Sequence, residues 1–138
     1  MQTALNFETI ISLVLAVALG AVVGLERETT HKPAGIRTHM LVSLGSALFT
    51  IVSVSFSIDP ARIAAGIVTG IGFIGAGTIF AEKDKVQGLT TAASLWATAA
   101  IGLAAGIGDY PLALLVTVLV FLILASRYLL KKVGLEEH

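Results

Sequence analysis

The sequence predicts an all-α fold. It is a polytopic membrane bundle of about five transmembrane helices, with the N-terminus outside and the C-terminus inside. Three observations predict this. First, of 138 residues 56% are hydrophobic and 13% charged, and the mean hydropathy is +0.93. That is about half the charge of an average globular domain. Second, the apolar residues fall into five runs bounded by polar punctuation, none with a charge in its middle. Third, the basic residues are unevenly placed. If the helices alternate, Arg27, Lys32, Arg37, Lys83, Lys85, Arg127, Lys131 and Lys132 share one side, and Arg62 stands alone on the other. Lys and Arg accumulate in cytoplasmic loops, so the crowded side is inside. The formal net charge of zero conceals this partition.

The runs cover residues 10–25, 40–58, 63–81, 88–107 and 110–130, giving expected helices at about 9–25, 40–58, 62–81, 88–107 and 110–131. A spanning helix needs about 20 mostly apolar residues. The first run is short and draws on flanking residues such as Phe7. It is read as a permanent helix, because residues 1–8 contain no Lys or Arg and a signal peptide wants a basic start. The whole chain, 1–138, is expected to be one transmembrane domain without a soluble C-terminal domain.

The second run carries a stripe at helical spacing: His39, Ser43, Ser46, Thr50, Ser53 and Ser57. Interhelical hydrogen bonding is the favoured reading, and the wall of a polar cavity is the alternative. Asp59 precedes Pro60 as a candidate N-cap of the third helix. Arg62 would pair with Asp59, snorkel, or point inward as a functional charge.

The third run is dense in glycine. Gly66, Gly70 and Gly77 lie on one face and Gly72 and Gly75 on the other. Small residues on two faces suggest two close neighbours, which makes this helix central. Gly20/Gly24 and Gly102/Gly106 repeat the Gly-xxx-Gly spacing. Gly70-Ile-Gly-Phe-Ile-Gly75 also spells a dinucleotide fingerprint, but inside an apolar run and without a βαβ unit that reading is rejected.

The fourth run places Thr90, Thr91, Ser94, Thr98 and Gly102 on one polar and small face, with Trp96 away from it. The fifth has little polar besides Thr117 and reads as lipid-facing all round. The core is then expected from helices one to four.

The first connection, residues 26–39, holds Glu26, Arg27, Glu28, His31, Lys32, Arg37 and His39. A solvated loop with local ion pairs is favoured over a metal site, because no tight ligand spacing exists. Glu26 would serve if a metal binds, and Mg²⁺ is the ion such carboxylates suit. The absence of cysteine excludes disulfides and thiol chemistry. The lack of a basic excess argues against nucleic acid as a partner. No nucleophile elbow or paired Ser and His spacing appears, so no enzyme is expected.

Several motifs together are similar to a known family. Gly24-Leu-Glu-Arg-Glu28, Gly35-Ile-Arg-Thr-His39, Leu41-Val-Ser-Leu-Gly45, Arg62-Ile-Ala-Ala-Gly66, Gly70 through Gly77 and Gly88-Leu-Thr-Thr-Ala-Ala-Ser-Leu-Trp96 resemble the MgtC/SapB family of bacterial inner-membrane proteins. The resemblance runs from about Gly20 to Leu130. It implies an inner-membrane domain of about five helices, linked to adaptation to low Mg²⁺ and, in pathogens, to survival inside macrophages. It implies a regulator acting through membrane helix contacts, for example on the F-type ATP synthase. A Mg²⁺-linked transporter or channel with a Ser/Thr-lined path is the alternative. The positions it carries over are Glu26, Arg27, Arg37, His39, Arg62 and the segment with Thr90, Thr91, Ser94 and Trp96. Some relatives have Asn where Ser94 stands. The partners expected are the lipid bilayer, a second copy of the chain in a homodimer, and possible further membrane proteins.

Overall fold

The computed structural model describes residues 6–55, 59–82 and 85–133. Five helices, α1 (Phe7–Thr29), α2 (Ile36–Ser55), α3 (Pro60–Ala76), α4 (Leu89–Gly106) and α5 (Tyr110–Val133), are joined by short connections. A two-stranded antiparallel hairpin, β1 (Phe80–Glu82) and β2 (Lys85–Gln87), lies between α3 and α4. Among the described residues α1, α2, α4 and α5 are long and apolar enough to cross a membrane.

The first helix is longer than its apolar run. Asn6 accepts the Thr9 N–H at 2.8 Å and caps the start. At the other end the helix continues through Glu26 and Arg27 to Thr29. The expectation of a helix over 62–81 is corrected: α3 stops at Ala76 and the chain becomes strand at Phe80. Glycine-rich sequence weakens the helix there, and the Thr78 hydroxyl donates to the Gly75 carbonyl at 2.8 Å, closing the last turn. Gly88, between β2 and α4, stands at φ +89 against the base of the hairpin, where a Cβ would strike the Thr78 carbonyl oxygen. Glycine tolerates both the left-handed backbone and the close approach.

Asp59 does hold the N-cap position of α3, at φ 32, but its side chain makes no capping hydrogen bond. Asp109 does cap, accepting the Leu112 N–H at 3.1 Å as α5 begins.

The centre belongs to α4, which packs against all four other helices. The core joins Ala16, Leu19 and Val23 of α1, Ala47 of α2, Ile101, Ala104 and Ala105 of α4, and Ala113 and Leu124 of α5. Two expectations are thereby corrected. Helix five is part of the bundle, with a buried stripe of Ala113, Thr117 and Leu124; the single hydroxyl on it is satisfied by the Ala113 carbonyl at 2.8 Å. Helix three is peripheral, touching α4 and, less, α2. Among the described residues no atom outside the helix's own nearby backbone lies within 4 Å of where a Cβ would stand at Gly66, Gly70 or Gly72, Gly75 meets Ala92 at an ordinary 3.5 Å, and Gly77 faces its own turn. Ile67 and Ile71 make the contact instead, against Leu95 and Ala99, and their bulk holds α3 off.

The glycines that permit close approach are on α1 and α4. A Cβ at Gly20 would lie 2.6 Å from the His39 carbonyl oxygen, and one at Gly24 would lie 2.6 Å from the Ile36 Cα. On α4, one at Gly102 would strike the Ser43 carbonyl oxygen, and one at Gly106 would sit 2.7 Å from that of Ala47. Thus α2 is held between two glycine-lined neighbours.

Candidate functional site

The hydroxyl stripe of α2 faces protein. His39, Ser43, Ser46, Thr50 and Ser53 are all buried, and Ser57 lies outside the described residues. The Ser46 hydroxyl donates across to the Ala99 carbonyl at 2.6 Å, and Thr50 donates back to the Ser46 carbonyl at 2.8 Å. In an apolar solvent such donors must find partners within the protein. Ser43 and Ser53 have buried hydroxyls without a hydrogen-bond partner among the described residues.

At one end of this stripe, α1, α2 and α4 bring their polar residues together. His39 is fully buried. Its Nδ1 donates to the Gly35 carbonyl at 2.9 Å, since a carbonyl only accepts. Its Nε2 meets the Ser94 Oγ at 3.1 Å. The Ser94 hydroxyl also lies 2.8 Å from the Thr91 carbonyl. Ser94 has one proton and two acceptors in reach. With a neutral His39, Nε2 accepts a hydrogen bond from the Ser94 hydroxyl; with both ring nitrogens protonated, Nε2 donates and the Ser94 hydroxyl donates to the Thr91 carbonyl. The pair therefore links the imidazole's protonation state to a contact between α2 and α4.

Beside it, on α1, Glu26 and Arg27 are 4% and 2% exposed. This corrects the expectation of a solvated loop: the helix runs on, and its inner face carries the pair into the packed interior. Arg27 Nε stands 2.9 Å from Glu26 Oε2. The contact is electrostatic without hydrogen-bond alignment, since both carboxylate oxygens and Arg27 Nε and Nη1 have no hydrogen-bond partner among the described residues. Arg27 Nη2 reaches Thr30 Oγ1 at 3.4 Å. Glu28 points elsewhere: its Oε2 accepts the Ile36 N–H at 3.0 Å and caps α2. A divalent cation at Glu26 would confront the Arg27 guanidinium without help from Glu28. Among the described residues no group of three or more His, Asp or Glu could hold a metal.

The site thus gathers Glu26, Arg27, His39, Thr91 and Ser94. It leaves out Arg37, Thr90 and Trp96, which are exposed, and Asp59 and Arg62, which belong to the other end of α2 and α3. Sequence reasoning missed Arg127. This residue on α5 lies within electrostatic range of Arg27, and its Nη1 is buried without a hydrogen-bond partner among the described residues. In the sequence it stands only as one more basic residue near a helix end. It also missed the link between Ser12 of α1 and Tyr110 of α5, 3.0 Å apart, for which a lone serine gives no signal.

The family model described as "MgtC family" matches residues 13–133. "Putative magnesium transporter YhiD" of Escherichia coli strain K12 is 46% identical over 127 residues, covering 85% of this chain and 59% of that protein. "Protein MgtC" of Salmonella typhimurium strain LT2 is 46% identical over 129 residues, covering 93% of this chain and 54% of that protein. An "Uncharacterized protein" of Haemophilus influenzae is 42% identical over 120 residues, covering 78% of this chain and 50% of its own. The chain thus spans between half and three fifths of the length of these relatives. No solved structure matches it.

Proposed function

This chain belongs to the MgtC family and is a multi-pass membrane protein, and from that premise we propose that it is a non-enzymatic regulator of the bacterial inner membrane. It serves adaptation to low magnesium and acts through helix contacts with other membrane proteins, the F-type ATP synthase among them, as a homodimer. The N-terminus faces out and the C-terminus in, as the eight-to-one partition of Lys and Arg favours.

One observation carries this reading. The polar groups that would line a transport path are taken up inside the protein: the Ser46 hydroxyl donates across to the Ala99 carbonyl of α4, Thr50 and Thr98 donate to carbonyls of their own helices, Ser94 is held between His39 and the Thr91 carbonyl, and the stripe is pressed between α1 and α4. A conducting path needs open polar groups along its length. Transport of magnesium is the second reading. It is favoured by the unpartnered hydroxyls of Ser43 and Ser53 and by the name that YhiD carries.

The test is a liposome flux measurement with a Mg²⁺-sensitive dye under an imposed gradient. The regulator reading expects the rate of empty liposomes; a protein-dependent flux overturns it. In inverted membrane vesicles, co-expression of this chain should lower ATP-driven proton pumping. Unchanged pumping removes the ATP synthase as the partner.

A further inference from the structure

A groove of about 670 Å³ runs between α2 and α3. Its lining is apolar apart from Thr38, Ser46 and Arg62, and the Ser46 hydroxyl is already bonded to Ala99. Its width comes from Gly45, Gly66 and Gly70, each facing open space. Arg62, its one charged residue, marks one end. The Arg62 backbone N–H bonds to the Asp59 carbonyl, while its side chain makes no ion pair or hydrogen bond among the described residues. From Arg62 to Ile74, both in the lining, the helix advances about 18 Å at 1.5 Å per residue. The hydrocarbon core of one leaflet is about 15 Å deep, half of the bilayer's 30 Å.

A groove of this composition inside a bilayer does not hold water, which needs several polar partners. Lipid tails are as apolar as its walls. We propose that the groove between α2 and α3 seats an acyl chain of an anionic phospholipid, with the lipid phosphate on the Arg62 guanidinium. The apolar length is enough for one acyl chain to lie along it from the headgroup inward, and the single cation stands at the end of α3 where one leaflet's headgroups lie. A second copy of the chain fits less well. A two-fold contact through α3 would place two Arg62 side chains at the same depth on facing surfaces.

The experiment is native mass spectrometry of the purified chain offered phosphatidylglycerol and phosphatidylcholine of equal chain length, with lipid count and oligomeric state read from the same spectra. Retention of phosphatidylglycerol over phosphatidylcholine by about fivefold is expected, the size of one Arg beside an anionic headgroup. Arg62→Gln should bring the two lipids to parity. Gly70→Leu should fill the groove and remove both, with the melting temperature unchanged. Equal retention by the unsubstituted chain overturns the proposal, as does a preference that survives Arg62→Gln. Lipid counts unchanged in Gly70→Leu while a dimer dissociates would assign the groove to a second copy instead.

Discussion

α3 and α4 are both short and apolar and both carry glycines at a spacing of four, Gly66/Gly70 and Gly102/Gly106, yet they occupy opposite places in the bundle. On α4, Gly102 and Gly106 bring the backbone against the carbonyls of Ser43 and Ala47. On α3, Gly66 and Gly70 face open space and the helix meets the bundle through Ile67 and Ile71. A small residue permits close approach but supplies no neighbour. On α4 the glycines share their face with Ser94, Thr98 and Ala99, and α2 presents a matching file of Ser and Thr. On α3 the face toward the bundle carries bulk, and bulk sets the distance.

The sharpest way to break this comparison is at the charges. Arg27→Ala leaves Glu26 buried beside no counter-charge, and breaking such a pair costs about 3–5 kcal/mol. Arg62→Ala, at an exposed position on α3, should cost under about 1 kcal/mol. Denaturant titration of both variants in detergent measures the difference, and equal losses would mean that the interior is less tightly packed than α4 indicates. Next come the glycines. Gly102→Leu forces side-chain volume into the Ser43 backbone and should cost about 1–3 kcal/mol or more, against no measurable change for Gly70→Leu. A melting curve that treats the two alike would erase the distinction between the helices. Smallest is the hydroxyl pair. Ser94→Ala loses the link to His39 across helices and should cost about 0.6 kcal/mol, with about 1.7 as the upper end. Thr69→Ala loses only a bond to the Ala65 carbonyl within its own exposed turn and should be neutral by the same titration.

Much of this was legible in the chain. Long apolar runs with charged ends admit little besides spanning helices, so the existence of α1, α2, α4 and α5 follows from composition. The faces of α2 and α4 were legible too, because hydroxyls three and four residues apart fall on one side of any helix. The Gly20/Gly24 and Gly102/Gly106 spacings pointed to contacts that exist. What misled was local similarity between unlike contexts. Glu26 and Arg27 look like the start of a loop, because charge after an apolar run marks a membrane edge. Their burial depends on what α2 and α4 place against them. The end of α3 differs for the same reason: residues 77–81 are apolar enough for a helix, but the Thr78 hydroxyl closes the last turn, β1 pairs with β2, and Gly88 packs on Thr78 at the base of that hairpin. Arg127 joined the site only because α5 brings it beside α1.

The sequence by itself determined the solvent, the helix number and the sides of α2 and α4 that carry polar groups. These follow from transfer energies and helical periodicity, which are local properties of the chain. Only the tertiary structure decided which helix is central, which glycines are filled and where the buried charges pair. Those outcomes depend on facing surfaces from distant segments, and no residue carries information about the shape it will meet.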